Sequence, residues 1–499
     1  METMTKLRLA AAVAAAAISA SAAQFQPTTG GNLDDPTNWN NVTDSSYAVV
    51  RQQSAPLTVS TASATMPNNG NLIYRTNVHT NDFGAGHVLT IPFLTIEQGA
   101  TLAHRSGSID VTSTSVSSKI DAGSATVEGA GSAWNFALLS FPADKGGSLT
   151  VRDGASLAVS GSMTVDAGAE IVIDDALAET ASCTINAGSA AVTGSGGVWR
   201  AETTTLATGG GLEVSDGATF AVTGAMTVQA GAEVSVENAT FSHDTMADNK
   251  IVVNAGGTIR LKNSTLSFSG SKGKLCVAGG TAVFDGATIS FGNANTAHFG
   301  GSTRVAGGTI RFEGAPSSIN HRFLMYGDGL EFCVSNTTVS FAPAAADELF
   351  ITSIGTVADG NAKTFRFCGA APRLAVASSD GFHLRAEKGV LLRFELGADF
   401  DPVAPVVEIT GGGTFKGDKD CLSASQVVVD VDDGCPPGTY TLLKGKAATT
   451  FLTGESKWVA NCGNKRSTKF QTAGTAGTAD ESLQIVVTDT AAATVICFR

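Results

Sequence analysis

The sequence predicts an all-β chain: a right-handed, single-stranded parallel β-helix (solenoid) with a less regular β-rich C-terminal cap. Three observations predict it. First, GSLTVRDGASLAVSGSMTVDAGAEIVIDDA at 147–176 returns as GGLEVSDGATFAVTGAMTVQAGAEVSVENA at 210–239. Leu149, Gly154, Met163 and Glu170 match Leu212, Gly217, Met226 and Glu233 at one constant offset. Second, the strand centres Thr150, Ala158, Thr164 and Val172 recur at short, nearly even steps, so the long repeat divides into three coils. Third, VNAGGTIRLKNSTLSF at 253–268 returns as CVAGGTAVFDGATISF at 276–291 and again as VAGGTIRFEGA at 305–315, each time about one coil length on. A fixed period of ~20–30 residues is the signature of stacked units that bury their apolar faces against one another. An antiparallel sandwich or β-roll would also use short strands and frequent turns; the recurrent coil length favours the β-helix.

The first element, residues 1–23, is a signal-peptide pattern. Lys6 and Arg8 give the basic region, 7–18 the apolar run, and Ser19 to Ala23 the small-residue cleavage site, with cleavage expected after Ala22 or Ala23. The run is short for a membrane span of about 20 residues. An exported chain with no membrane-spanning segment in its mature part is therefore expected. Residues 24–87 read as a polar, strand-poor lead-in or N-terminal cap, with Trp39 after DPTN as a buried aromatic. Residues 88–345 carry the coils. Alternate residues of each short strand point inward, while Gly-Ala and Asp-Gly occupy the turns, where glycine tolerates positive φ. Residues 346–499 keep strand-like runs but lose the recurrent lengths. Further coils are expected there, then a β-rich cap ending with SLQIVV, because an uncovered last coil leaves a strand edge open to aggregation.

Composition narrows the function. Only 15% of the 499 residues are charged, 43% are hydrophobic, and 57 are glycine without a three-residue period, which excludes collagen and disorder. A net charge of −13 argues against nucleic acid and against polyanionic polysaccharides. Of the eight cysteines, Cys183 aligns with Ser118 in the long repeat and reads as a small buried residue. Cys421/Cys435 and Cys462/Cys497 lie where a disulfide staple is the more natural expectation.

No catalytic, cofactor-binding or metal-ligating residue is assigned, and no cofactor is expected. Asp153 with Asp166, or Glu170 with Asp174, could supply the two carboxylates that glycoside hydrolysis uses at about 5–10 Å. Asp153 recurs as Asp216 and Glu170 as Glu233, however, which makes them turn residues first. The seven histidines (His79, His87, His104, His243, His298, His321 and His383) are scattered without metal-type spacing. Asp430, Asp432 and Asp433 could hold calcium, but their spacing matches no calcium loop and a solvated turn is preferred. Trp134 and Trp199, at equivalent positions, could stack on sugars; plugging or flanking the coil is the plainer role.

VEGAGSAW at 127–134 with GGSLTVRDGASLAVSG at 146–161, and VTGSGGVW with GGGLEVSDGATFAVTG in the second copy, resemble the autotransporter-associated β-strand repeats of bacterial passenger domains. The N-terminal DPTNW is similar to a stretch near the start of many such proteins. The resemblance covers about residues 30–315. It implies an exported, β-helical, cell-surface adhesin or scaffold. The outer-membrane barrel of true autotransporters is not recognised here, nor is a terminal sorting signal, so free secretion or non-covalent surface association is expected. Surface glycans or other extracellular proteins are the expected partners. The competing reading is a polysaccharide lyase or glycoside hydrolase on the same fold. A groove lined by convergent carboxylates would favour the enzyme, and a uniform Ser/Thr/Asn surface the scaffold.

Overall fold

The computed structural model describes residues 23–25, 32–33, 39–40, 47–50, 55–59, 61–65, 71–143, 145–244, 250–269, 274–291, 298–299, 308–320, 329–342, 349–352, 363–385, 389–401, 404–417, 419–450, 452 and 457–490. Residues 1–22 of the signal-peptide pattern, His321, Cys497 and the side chains of Trp39, His298 and Cys421 lie outside what is described. The chain falls into two compact units, residues 1–223 and 224–499. Each is a parallel β-solenoid, and the one helix among the described residues is Lys419–Ala424.

In the first unit the long repeat resolves into coils. Leu149 pairs with Ile171, Ile171 with Ala190 and Ala190 with Leu212, so three coils carry the chain from one copy to the next. Trp134, Leu157, Ala178 and Trp199 make the same three steps on a second face. The strand Gly147–Arg152 shows the alternation that builds a coil wall: Leu149 and Val151 are buried, Thr150 is partly exposed and Arg152 is exposed. Two of the expected short strands are one: Ala158 and Thr164 both lie in Ser156–Val165, whose register shifts between Val159 and Ser162. Gly161 sits at this bend, where a Cβ would come within 2.5 Å of the Ala137 carbonyl. The bend turns one strand across two faces without breaking its pairing. Coil strands also occur upstream of residue 88. Val78–Asn81 pairs with Thr101–His104, and Asn71–Tyr74 with Leu94–Ile96.

One face of the second unit stacks its inward residues in two columns. One runs Val234, Ile259, Ala282, Ile310, Phe332, Phe365, Leu392 and Val427; the other Val236, Leu261, Phe284, Phe312, Val334, Phe367, Phe394 and Val429. Phenylalanines meet coil to coil. Phe284 and Phe312 are 5.1 Å apart and stacked at 24°, and Phe367 and Phe394 are 5.1 Å apart at 15°. Parallel pairing continues through Trp458–Cys462. There the direction changes: Ser482–Asp489, which contains SLQIVV, runs antiparallel to both Gly438–Lys444 and Arg466–Ala473. This is the β-rich cap that the open end of a solenoid requires. Buried Glu481 fastens it, accepting the Ala447, Thr449 and Gly477 backbone N–H groups and the Thr449 hydroxyl.

Candidate functional site

A concavity lies in the second unit, where the parallel strands Lys363–Cys368, Val390–Leu396, Gln426–Val431 and Trp458–Cys462 end on one side. Its volume is about 610 Å³, and Cys368, Glu395, Asp399, Asp430, Asp432 and Cys462 are among its walls. Three acids therefore reach it from outward strand positions or the turns that follow, and Asp399 joins them from the turn after Leu396.

Most of this carboxylate is already engaged. Glu395 accepts both Nε and Nη2 of Arg366, each at 2.9 Å, and also faces Arg393 Nε at 3.4 Å. Asp430 accepts Arg393 Nε at 2.7 Å and Asn461 Nδ2 at 2.8 Å. Asp432 Oδ1 accepts the Gly434 N–H at 2.6 Å, and Asp433 Oδ1 the Lys465 N–H at 2.9 Å. The Asp430/Asp432/Asp433 cluster is thus one strand residue in an ion pair and two turn residues in backbone hydrogen bonds. Among the described residues no group of three or more His, Cys, Asp or Glu is placed to hold a metal ion.

The acids singled out in the long repeat do not converge. Asp153 and Asp216 both sit at φ 57° ahead of Gly154 and Gly217, which are themselves left-handed. This is an Asp-Gly turn with both residues at positive φ, a conformation that Asp and Gly tolerate. Glu170 and Asp174, expected on neighbouring faces, lie on one strand, Ala169–Asp174, and on its outward side. Extended chain between them separates the two by roughly 13 Å, beyond the reach of a hydrolytic pair. Asp166 accepts Asn186 Nδ2 at 3.3 Å, and Asp174 accepts the Thr193 hydroxyl at 3.0 Å. A shallower groove of about 390 Å³ follows the glycine corners of the first unit, with Glu170 on its wall and Lys145 paired to Asp121 at 3.2 Å.

Trp134 and Trp199 are fully buried, with Trp199 Nε1 donating to Thr180 Oγ1 at 3.1 Å. They fill the coil interior and offer no face to a sugar. His79, His104 and His243 are interior as well. His79 Nε2 lies 2.6 Å from the Thr76 carbonyl, His104 Nε2 2.9 Å from that of Gly107, and His243 Nε2 2.8 Å from that of Gly224. A carbonyl partner makes Nε2 the protonated nitrogen, and Nδ1 of each has no partner. Burial pushes the His104 imidazole down to about 4 against the opposing pull of Gly107 and Asp82. It also lowers those of His79 and His243. These are neutral, structural imidazoles.

No protein-family model, no curated protein and no solved structure matches this chain. Among the described residues no helix is long and apolar enough to cross a membrane.

The cysteines correct the expectation. Cys183 is buried as anticipated, and burial pushes its thiol up to about 12. Cys435 and Cys462 are free thiols. Cys435 Sγ is 3.3 Å from the Tyr440 hydroxyl and Cys462 Sγ is 3.4 Å from that of Thr468, so neither forms the staple expected of it. Two sulfurs that sequence reasoning did not single out lie close together: Cys333 and Cys368, 3.8 Å apart on consecutive coils. Only register reveals them, because they stand far apart in a part of the chain where the coil length varies.

Outside the grooves, the first unit carries ordered hydroxyls. Ser140, Thr164, Thr184 and Thr205 form one outward column, and Ser162, Ser182 and Thr203 a second beside it.

Proposed function

We propose that this chain is a secreted or cell-surface structural, adhesin-like protein that binds its ligand through the decorated outer faces of its coils and does not turn it over. The observation that carries this reading is the pair of hydroxyl columns in the first unit, repeated coil by coil at a strand spacing of about 4.8 Å. Regularly spaced neutral donors and acceptors suit an extended neutral ligand, a glycan chain or the edge of another extracellular protein. The net charge of −13 disfavours a polyanion. Export rests on the Lys6/Arg8 and Ser19–Ala23 pattern, and kinship with bacterial passenger repeats rests on the two V-x-G-x-G-[SG]-x-W stretches.

The mature chain, residues 24–499, tested on a glycan array and in a polysaccharide-degradation screen separates the readings. Retention of a glycan without turnover is expected, and Thr164→Val with Thr184→Val should weaken retention about tenfold by removing two ligand hydrogen bonds. Secretion assays should yield an N-terminus after Ala22 or Ala23. The groove keeps a second reading in play, a carbohydrate-active enzyme, because Glu395, Asp399, Asp430 and Asp432 line one cavity. Turnover abolished by Asp399→Asn would replace the first reading with the second.

A further inference from the structure

The outward face of the second unit is a ladder of diagonal pairs. Arg366 on one coil meets Glu395 on the next, and Arg393 meets Asp430 on the coil after that. Arg366 pairs in register with Arg393, and Glu395 with Asp430, so each rung joins one column to its neighbour one coil on. Cys333 pairs in register with Arg366, and Ser335 with Cys368. Cys333 and Cys368 are therefore the preceding rung of the same ladder, with two thiols where the next two rungs hold a guanidinium and a carboxylate.

We propose that Cys333 and Cys368 are an oxidisable dithiol, in which Cys368 reacts with a disulfide-class oxidant entering from the groove and Cys333 resolves the product into an intercoil disulfide. The geometry assigns the roles. Cys368 ends its strand, is partly exposed and lines the groove, while Cys333 is 1% exposed beneath it. The Cys333 thiol, the Ser335 hydroxyl and the Arg366 guanidinium all hold the Cys368 thiol below its ordinary range. Its hydrogen bond to Cys368, together with burial, raises Cys333. Nucleophilic thiols occupy such accessible, cation-adjacent positions beside a resolving cysteine.

The step balances. The Cys368 thiolate attacks one sulfur of a small disulfide RS–SR, giving Cys368–S–S–R and releasing RS⁻, which takes up the proton that Cys368 lost. Deprotonated Cys333 then attacks Cys368 Sγ and expels the second RS⁻, protonated in turn to RSH. Two protein thiols are oxidised to one disulfide, and one small disulfide is reduced to two thiols. Closing 3.8 Å to the ~2.05 Å of a disulfide draws the strand end at Cys368 toward its neighbour. This chemistry does not rest on the binding role proposed above.

The test uses the reduced, folded full chain, treated with glutathione disulfide at neutral pH and mapped by non-reducing peptide mass spectrometry. A Cys333–Cys368 linked peptide is expected, and Cys333→Ser should instead retain glutathione on Cys368. In untreated protein at pH 6.5, iodoacetamide should alkylate Cys368 at least about tenfold faster than exposed Cys462. This measurement needs no variant. A free Cys368 after oxidation, a link to any other cysteine, or alkylation of Cys368 no faster than Cys462 would overturn the proposal.

Discussion

The two units solve the same problem with different materials. In the first, coils are short: Ile171 finds its partner at Ala190, and Ala125 finds its own at Leu149. Its interior columns are mostly aliphatic or small, interrupted by Trp134, Trp199 and a few phenylalanines, and hydroxyls decorate its outside. In the second, the early steps are as short, Ile259 to Ala282, but the later ones run much further, from Phe332 to Phe365 and from Leu392 to Val427. The interior there is rich in phenylalanine, and arginine–carboxylate rungs run along the outside. A tight Asp-Gly or Gly-Ala turn delivers the next strand at a defined position. A long loop does not, and a one-residue slip would reverse the faces of the whole strand. The second unit therefore needs the strands themselves to specify register, which large aromatic faces and paired charges do.

The largest expected effect attacks that device. Phe367→Ala removes a fully buried ring stacked on Phe394 and should cost about 3–5 kcal/mol in urea unfolding. Amide exchange should rise in both flanking strands, Glu331–Ser335 and Val390–Leu396, because register is lost along with packing. Leu149→Ala in the first unit should also destabilise, yet leave the flanking strands protected. Equal spreading in both units would break the contrast.

The first unit has its own weakness, a polar stretch early in its core. In the column Leu57, Asn81, His104, Val127, Val151, two early positions are polar where later coils place valine. The native His104 imidazole stays neutral to about pH 4, whereas in the unfolded chain it takes a proton near pH 6.5. Between those values the unfolded state binds more protons, so stability is lost as pH falls through the window and is constant above it. The loss for this one group is about 3 kcal/mol by pH 4. Urea midpoints at pH 7 and pH 4 measure it, and His104→Leu should flatten the dependence; an unchanged slope would place the acid sensitivity elsewhere.

A smaller effect tests the turns. Ala122 and Ala187 take the left-handed conformation themselves, at φ 56° and 54°, and the glycines that follow them serve another purpose. A Cβ on Gly188 would lie 2.7 Å from the carbonyls of Val165 and Asp166 on the preceding coil. Gly188→Ala should cost about 1–3 kcal/mol through that clash, seen as a lower melting temperature. A neutral substitution would show that the corner has slack and that short turns do not set register.

These particulars explain what the sequence made legible. The long repeat, its division into three coils, the Asp-Gly turns and the interior tryptophans follow from periodicity and from local φ requirements, which neighbouring residues encode. The cap could be expected at SLQIVV because an open strand edge has to be covered. The dithiol rung, the diagonal ion pairs and the groove at the strand ends depend on which residue of one coil faces which residue of the next. Ile310 meets Phe332 and Phe332 meets Phe365, but the second step is much the longer, so no fixed offset brings such residues together. Turn glycines were legible as turns, but Gly188 shows that the reason can be close approach instead of positive φ.

The smallest effect is the most discriminating for the ladder. Arg393→Met removes the rung to Asp430, with the guanidinium side chain 44% exposed and each carboxylate partner 27% exposed. Pairs this wet are worth about 0–1 kcal/mol, and salt screens them. Glu395 keeps both hydrogen bonds from Arg366, and Asp430 keeps Asn461, so neither acid is left bare. The melting temperature should therefore shift by no more than a few degrees, and the difference from the parent should vanish in about 1 M salt. The ladder then acts against a one-residue slip, which would turn its charged side chains into the phenylalanine interior, and adds little to the right register. A salt-independent loss above about 2 kcal/mol would reverse that assignment, making the ion pairs part of the second unit's stability and leaving the phenylalanine columns to hold register alone.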